Sequence, residues 1–352
     1  MSQARTIAEL SCPTPLPARD RVLLGHGSGG TLSAELLRDV FLPALGNPVL
    51  TQLNDQAVVS VGGVRLAFTT DSFVVKPLFF PGGNIGSLAV HGTVNDLAVG
   101  GATPLFLSAA FIIEEGFSMD ELRRVVNSMQ SAAAAAGVQV VTGDTKVVER
   151  GKGDGLFINT TGIGIVPDGL ELSADHARPG DKVLLSGGIG EHGIAILAQR
   201  EGLEFETTIQ SDSAALHTLV AAMLKATSAI RCMRDPTRGG LSSTLNEIAA
   251  QSRVGIAVDE SAIPVREEVR GACELLGLDP MYVANEGKLV AIVEPSSADA
   301  VLNAMRNHPL GQHAQIIGTV NRENRGLVTM RTTLGTTRIV DMLAGDQLPR
   351  IC

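Results

Sequence analysis

Residues 68–104 read FTTDSFVVKPLFFPGGNIGSLAVHGTVNDLAVGGATP and contain three local signals that decide the fold. The first part belongs to an apolar, β-branched run that begins at Val64 and predicts a strand. The segment PGGNIG at residues 81–86 interrupts this run, and the SLAVHGTVNDLAVGG that follows is predicted to form a helix. A strand, a glycine-rich loop and a helix in this order indicate an α/β or α+β enzyme rather than a fibrous or disordered chain.

Strand and helix signals continue on both sides of this stretch without a fixed repeat. AVVSVGG and VRLAFTTDSFVV predict two strands joined across Gly62 and Gly63, and MDELRRVVNSMQSAAAAAG predicts a helix that ends at Gly137. VQVVTGD and LFINTTGIGIV predict further strands. Polar and turn residues cluster in PDGLELSADHARPGD, so we expect a domain boundary at residues 167–180, after which KVLLSGGIG begins a second run of strands and helices.

Length and charge restrict the classes of function. The 352 residues are enough for roughly two domains. The net charge is −9, from 28 Lys and Arg against 37 Asp and Glu, and the absence of a basic block argues against a nucleic-acid surface. The N-terminus has no apolar signal-peptide core, and the longest apolar stretch is broken by Gly and Pro. We therefore expect a cytoplasmic protein that binds neither membrane nor nucleic acid.

The cysteines give one unusual feature. Cys12, Cys232, Cys273 and Cys352 lie far apart and form no CxxC pair, so neither a zinc site nor a disulfide framework is predicted. Cys352 is the last residue of the sequence, in DQLPRIC. Because exposed thiols oxidise and cross-link, two interpretations stay open: an unpartnered tail cysteine, or a thiol kept for its chemistry.

Aspartates recur in the first half of the chain where strands end or helices turn. Any one of them alone is most often a turn former or a helix cap. Mg²⁺, however, prefers one or two carboxylates together with phosphate oxygens. Several aspartates in one domain are therefore candidates to seat Mg²⁺ ions on a nucleotide. These aspartates are Asp55, Asp71, Asp96 and Asp144.

Glycine-rich segments supply candidate phosphate contacts. GHGSGGT and PGGNIG each precede a predicted helix, and glycine allows backbone N–H groups to approach a phosphate at a helix N-terminus. Neither segment is a P-loop, because GK[ST] is missing, and neither fits the dinucleotide pattern after a strand. A third segment, RDPTRGGLSSTLNEIA, places Asp235, Thr237 and Arg238 just before a helix of the second domain.

Several motifs together resemble a known family. FTTDSFVVKPLFFPGGNIGSLAVHGTVNDLAVGGATP, VVTGDTKVVERG, RDPTRGGL, ANEGKLV and the terminal PRIC are similar to HypE, the carbamoyl dehydratases of NiFe-hydrogenase maturation. That family shares a superfamily with aminoimidazole ribonucleotide synthetase, selenophosphate synthetase and thiamine monophosphate kinase. TTDS, ND and GDT are common to the superfamily, whereas PRIC is the specific part. The resemblance runs from GHGSGG to Cys352.

The resemblance implies a fold and a domain organisation. We expect an α+β, two-domain PurM-like fold whose N-terminal domains pair their sheets in a homodimer. Residues 1–170 would form the ATP-binding and dimerisation domain and residues 171–340 a C-terminal α/β domain. Residues 341–352 would form a flexible tail that ends in Cys352.

The resemblance also implies a reaction and partners. The chain would use ATP to dehydrate an S-carbamoyl group on Cys352 to a protein thiocyanate, which donates cyanide for the hydrogenase iron. The carbamoyltransferase HypF would load Cys352, and the HypC–HypD scaffold would take the cyanide. Two alternatives stay open: an ATP-dependent small-molecule kinase or synthetase of the same superfamily, and a non-catalytic adaptor that hands a modified tail between partners.

Residue roles follow from the same resemblance. Cys352 would carry the substrate, and Lys146 and Glu286 would orient the thiocarbamate or move its protons. Each of these two has an ordinary alternative, since Lys146 fits a solvated strand end and Glu286 a turn before the strand KLVAIV. Asn95 and Thr145 would add polar contacts to the nucleotide. Mg²⁺ and the triphosphate of ATP would be held by Asp55, Asp71, Asp96, Asp144 and Asp235.

Overall fold

The computed structural model describes residues 21–203, 209–345 and 350–352. Cys12, Pro349 and part of the predicted tail lie outside these residues. Within the described part, no helix is both long enough and apolar enough to cross a membrane.

The first half of the chain builds a five-stranded sheet and a short two-stranded ribbon. The strands are β1 (Ala57–Val61), β2 (Val64–Phe73), β3 (Phe79–Phe80), β4 (Gly83–Asn84), β5 (Thr103–Glu114), β6 (Gln139–Val148) and β7 (Leu156–Ile165). The sheet has the order β1-β2-β7-β5-β6, and β3 pairs with β4. β5 and β6 run parallel, while the other neighbours in the sheet are antiparallel. Gly62 and Gly63, both at positive φ, make the predicted tight turn between β1 and β2.

Four α-helices lie in the described residues of this half, and the two longer ones cover one face of the sheet. The four helices are α1 (Thr31–Leu36), α2 (Leu42–Leu45), α3 (Ile85–Val99) and α4 (Met119–Ala136), with a π-helical turn at Leu37–Phe41 between the first two. α4 ends as predicted at Gly137, whose φ of 69° is the left-handed conformation that glycine adopts at low cost. α3 and α4 bury their apolar side chains with Phe73, Leu107 and Ile158 from the sheet, which forms the first core.

The second half builds a larger sheet with its own helices. Its strands are β8 (Lys182–Leu185), β9 (Ile230–Arg234), β10 (Gly255–Asp259), β11 (Val290–Val293), β12 (Gln315–Asn321), β13 (Val328–Arg331) and β14 (Thr337–Val340), in the order β14-β13-β10-β12-β8-β11-β9. The helices are α5 (Glu191–Glu201), α6 (His217–Ala226), α7 (Gly240–Ser252), α8 (Glu267–Leu276) and α9 (Ala298–Arg306). Only β10 and β13 pair in parallel among these described strands.

The two halves share buried surface through α3. Ala98 and Val99, at its C-terminal end, pack in one apolar cluster with side chains of α6, α9 and β11. The chain passes from one half to the other between Ile165 and Lys182, and the predicted domain limits stay a prediction. Because α3 contacts both halves, residues on its last turns lie where the two meet.

Candidate active site

A cavity of about 220 Å³ lies between the first sheet, α3 and the second half of the chain. We call it the acidic cavity, because carboxylates dominate its polar lining. The structure brings six of the ten predicted site residues to it from distant parts of the sequence. They are Asp55, Asp71, Asp96, Asp235, Glu286 and Cys352, and they lie with Thr70, Thr237 and Arg238.

Strand alternation explains why Asp71 points into the cavity. Along β2 the residues at odd positions, such as Thr69 and Phe73, face α3, whereas Thr70 and Ser72 face the other side of the sheet. Asp71 therefore faces α3, which carries Asp96 on the facing side. Thr69 donates a hydrogen bond from its hydroxyl to Asp96 Oδ2 at 2.7 Å, which fixes that carboxylate.

Asp55 is oriented by an arginine that sequence reasoning did not single out. Arg234, at the end of β9, donates from Nε and Nη2 to Asp55 Oδ1 at 3.0 and 2.8 Å. The same guanidinium forms an ion pair with Glu247 of α7 and donates to the Leu53 carbonyl. This bidentate contact joins the loop before β1 to the second half of the chain.

Two of the predicted glycine segments meet beside the cavity. Gly29, at φ 72°, has no room for a side chain, because a Cβ there would lie 2.5 Å from the Arg238 carbonyl oxygen. Arg238 in turn donates from Nη1 to the Gly27 carbonyl at 3.1 Å. The loop GHGSGG therefore lies directly against RDPTRGG.

The remaining glycine segment, PGGNIG, does not reach the cavity. Asn84 Oδ1 accepts hydrogen bonds from the amides of Gly86 and Ser87 at 2.8 and 3.3 Å, so this side chain caps α3. Gly86 packs closely on the Val125 carbonyl of α4. These amides are thus engaged within the protein, and the glycines of PGGNIG permit close helix packing.

Burial and mutual repulsion set the electrostatics of the cavity. Burial raises the pKa of Asp71, opposed by the Arg238 guanidinium. Burial and the charge of Asp71 raise the pKa of Asp96 well above its usual range. Burial and the neighbouring Asp55 do the same to the pKa of Asp235. A site that gathers negative charge in this way favours a cation.

The fit of this site to Mg²⁺ depends on the nucleotide. Among the described residues, no three acidic, histidine or cysteine side chains are already arranged around one metal position. Mg²⁺ usually needs only one or two carboxylates, with phosphate oxygens and water completing its coordination. The separate carboxylates therefore fit an ion that arrives with a triphosphate better than an ion held by protein alone.

A wider cavity of about 730 Å³ adjoins the acidic cavity and shares Asp55 and Thr70 with it. Gly29 and Gly30 line one side, and most of the remaining surface is apolar, with side chains of α1, α2, β2 and the loop before β1. Polar groups, among them Arg234 and Glu247, complete the lining. An apolar cleft that opens onto a cluster of carboxylates suits a ligand with a flat apolar part and a charged part.

Glu286 and Cys352 lie together at the end of the acidic cavity. Both are nearly inaccessible, with 2% and 8% of their surface exposed. Glu286 Oε1 has no hydrogen-bond partner among the described residues. Burial raises the pKa of the Cys352 thiol; the Arg238 guanidinium opposes this, and the Glu286 and Asp71 carboxylates add to it.

Asn95 does not line the cavity but fixes the main chain of loops next to it. It is fully buried, and its amide nitrogen donates to the carbonyls of Ala214 and Glu286 at 3.0 and 3.3 Å. Its Oδ1 accepts from the Leu216 amide at 2.8 Å. Both ends of the side chain are therefore used to fix loops of the second half, including the one that carries Glu286.

The remaining predicted residues lie on β6, away from the cavity within this chain. Lys146 Nζ is 2.7 Å from Asp144 Oδ2, and both side chains are mostly exposed. The hydrogen bond from Lys146 lowers the pKa of Asp144. Lys146 pairs in register with Ile112 of β5 on the open face of the sheet, opposite to α3. Thr145 lines a groove between β6 and α4.

Comparison with known proteins identifies the family. The model of the AIR synthase related protein, N-terminal domain, matches residues 53–166, and the model of its C-terminal domain matches residues 178–331. Together they cover most of the chain and confirm the predicted two-domain, PurM-like α+β fold.

Individual relatives are more specific. A carbamoyl dehydratase HypE from Cupriavidus necator is 60% identical over 333 residues, which cover 94% of this chain and 95% of the relative. A crystal structure of a HypE–HypF complex has a TM-score of 0.84 at 50% identity and covers 88% of this chain and 99% of that chain. A crystal structure of HypE in complex with ATP has a TM-score of 0.80 at 52% identity and covers 94% and 100%. The chain therefore belongs to the AIR synthase related family and, within it, to the HypE carbamoyl dehydratases.

Proposed function

We propose that this protein uses ATP to dehydrate an S-carbamoyl group on its own Cys352, forming a protein thiocyanate for hydrogenase maturation. The reaction converts –S–C(O)NH₂ and ATP into –S–C≡N, ADP and phosphate. Phosphorylation of the carbamoyl oxygen makes that oxygen part of a good leaving group. Removal of both nitrogen protons then forms the C≡N bond as phosphate departs.

The observation that carries this proposal is the burial of Cys352 beside the Glu286 carboxyl group, one oxygen of which has no hydrogen-bond partner among the described residues. The thiol lies in the acidic cavity with Asp71, Asp235 and Glu286. Glu286 Oε1 accepts no hydrogen bond from the described residues, and burial raises the pKa of this carboxyl group well above its usual range. When ionised, it is therefore a strong acceptor for a proton from a group carried on the sulfur. Such a positioned proton acceptor is what the dehydration requires from the chain.

ATP would occupy the two adjoining cavities. Its base and ribose fit the wider, apolar one behind Gly29 and Gly30, and its triphosphate fits the acidic cavity. A family member solved with ATP supports this use of the fold. The ligands of Mg²⁺ would come from Asp55, Asp71, Asp96 and Asp235. When bound, Mg²⁺ would neutralise triphosphate charge that the aspartates alone repel.

The open face of the first sheet supports the homodimer. Phe68, Ile163 and Phe106 align across β2, β7 and β5, and each has more than a third of its surface exposed. β6 is an edge strand of ten residues with Val141 and Val147 exposed. An apolar face and a long, unpaired edge are covered in stable proteins, and a second copy of the same sheet would cover both.

The homodimer would also bring two of the remaining predicted residues to the reaction. Within one chain, Asp71 faces α3 whereas Lys146 lies on the open face, so the sheet itself separates them. We infer that Asp144 and Lys146 of the partner subunit complete the acidic cavity of the first subunit. Lys146 would then reach the thiocarbamate from the partner subunit. The side chain of Thr145 points to the α4 side of β6, so its nucleotide contact stays a prediction.

The buried tail supports the need for partner proteins. Because only 8% of Cys352 is exposed, residues 350–352 have to leave the cavity before another enzyme can load the thiol. A family member solved as a complex with HypF supports the carbamoyltransferase HypF as that enzyme. The HypC–HypD scaffold would receive the cyanide, and these exchanges would occur in the cytoplasm.

Intact-mass analysis tests the function directly. The chain is incubated with HypF, carbamoyl phosphate and ATP, and the carbamoylated mass is expected to lose one water in an ATP-dependent step. A small-molecule kinase or synthetase of the same superfamily would leave that mass unchanged. An adaptor would consume no ATP even when carbamoylated.

Replacing Asp71 by asparagine should weaken Mg-dependent ATP binding by at least about 10-fold, because a hard anionic oxygen is lost from the cavity. Calorimetric titration of ATP, with and without Mg²⁺, measures this. Asp120→Asn is the matched control, since Asp120 is exposed on α4 and pairs with Arg123. Equal ATP affinity in both variants would remove Asp71 from the nucleotide site.

A further inference from the structure

Main-chain hydrogen bonds help to hold residues 350–352 in the cavity. The Val74 amide donates to the Cys352 carbonyl at 3.0 Å, and the Lys76 amide donates to the Arg350 carbonyl at 3.1 Å. The tail thus lies like a short strand beside the segment that follows β2. Side chains also contribute, because Arg350 forms an ion pair with Asp154 and Ile351 is buried in the first core.

His192 binds the tail one residue before the cysteine. It is fully buried in the first turn of α5, and its Nε2 lies 2.8 Å from the Ile351 carbonyl oxygen. A carbonyl only accepts, so Nε2 carries the hydrogen. Nδ1 lies 2.7 Å from Ser211 Oγ, which also accepts from the Ser213 amide at 3.1 Å. In a neutral ring that carries its hydrogen on Nε2, Nδ1 accepts from the Ser211 hydroxyl.

The neutral imidazole therefore has only one tautomer that satisfies both of its nitrogens. Its ring meets Phe80 edge to face, with centroids 5.6 Å apart and an interplanar angle of 89°. Burial lowers the pKa of His192, in agreement with this neutral form. Two contacts outside the tail, with Phe80 and Ser211, thus hold the side chain in its orientation.

Arg200 provides a second contact from the same helix. Its Nη2 donates to the Arg350 carbonyl at 2.8 Å and to the Lys76 carbonyl at 2.8 Å, and Nε donates to the Lys76 carbonyl at 3.0 Å. The guanidinium therefore ties the tail to the segment beside which it lies. His192 and Arg200 stand eight residues apart, at opposite ends of α5.

We propose that His192 and Arg200 of α5 are positioning residues that form a latch for the tail, holding the sulfur of Cys352 in the acidic cavity for the dehydration. The proposal rests on the function proposed above and adds a part of the protein that neither the motifs nor the catalytic roles include. Both residues bind carbonyl oxygens, not the sulfur. The latch therefore holds the thiol, the thiocarbamate and the thiocyanate alike.

Thiol protection measures the latch without any activity assay. Iodoacetamide is added to the full-length protein, and modification of Cys352 is followed by mass spectrometry of the C-terminal peptide. His192→Ala loses one hydrogen bond to the tail, so Cys352 should react about 2- to 10-fold faster than in the wild type. Arg200→Ala loses charge-assisted bonds and should raise the rate about 10- to 100-fold.

Two kinds of control separate a latch from general destabilisation. His192→Gln can still donate to the Ile351 carbonyl from its side-chain amide, so it should restore most of the protection. His176→Ala and Arg123→Ala remove partly exposed side chains away from the tail, and both should leave the rate unchanged. Thermal unfolding of each variant shows whether an altered rate accompanies an altered fold.

A second readout links the latch to the reaction. On pre-carbamoylated protein, single-turnover formation of thiocyanate should slow in His192→Ala and Arg200→Ala, while ATP affinity stays at the wild-type value. Wild-type alkylation rates in both folded variants, or no recovery in His192→Gln, would overturn the latch. If Cys352 reacts faster in the variants but the carbamoylated wild type forms no thiocyanate, the tail-binding role of His192 and Arg200 is supported and the proposed function is wrong.

Discussion

Replacing Cys352 by alanine is expected to abolish uptake of the carbamoyl group completely, because no other group at this position can form the thiocarbamate. Folding should be nearly unaffected, since the loss of one sulfur atom at the edge of the first core costs about 1 kcal/mol. Intact-mass analysis after incubation with HypF, carbamoyl phosphate and ATP gives the answer in one spectrum.

Another thiol serves as the control for this result. Cys273 is buried in α8, so Cys273→Ala removes a sulfur without touching the tail and should accept one carbamoyl group as the wild type does. ATP binding should persist in both variants. Carbamoyl mass on the Cys352→Ala chain would show that a different residue is the carrier.

In purified mixed dimers of two inactive variants, about half of the active sites should be restored, because in the proposed homodimer each site takes residues from both subunits. Alone, Lys146→Ala and Glu286→Ala should each slow thiocyanate formation by about 10²- to 10⁴-fold, since each removes a group placed at the thiocarbamate. In a mixed dimer, one cavity combines an intact Glu286 with the partner's intact Lys146. The other cavity lacks both.

The restored activity distinguishes the two arrangements of the site. Differently tagged chains are co-expressed, the mixed dimers are purified through both tags, and thiocyanate is measured in a single turnover. If Lys146 and Glu286 acted within one chain, every cavity of the mixed dimer would lack one of them and no activity would return. Lys152→Ala is a suitable control, because this exposed lysine lies in the turn after β6.

Sequence patterns were sufficient for the local structure and for much of the cavity. The glycine pair at Gly62 and Gly63 predicted the first hairpin, and Gly137 predicted the end of α4; both are confirmed. The aspartates drew attention because carboxylates near glycine loops favour phosphate chemistry, and Asp55, Asp71 and Asp96 do converge. Their side chains were identifiable because the residue type itself signals the function.

Other features could not be predicted because they depend on the tertiary structure. The apolar run at Thr103–Glu114 forms β5, but a continuous apolar run fits a buried strand and a buried helix equally well. His192 and Arg200 bind carbonyl groups of residues about 150 positions away, and no local pattern marks such contacts. Arg238 stood in a recognised segment, but only the fold shows that it faces Asp71 and Cys352.

The docked tail has a consequence for the kinetics of the enzyme. A substrate attached to the chain reaches the cavity at an effective concentration of the order of millimolar, whatever the concentration of protein in solution. The site therefore does not need to bind the carbamoyl group tightly. The first-order rate constant for thiocyanate formation should be independent of protein concentration. A cavity of about 220 Å³ can then be shaped for the transition state alone. Each turnover of a chain that carries its own substrate requires that the tail is loaded with a carbamoyl group and then gives up its cyanide. If dehydration is faster than these two transfers, the transfers to and from partner proteins limit the turnover rate.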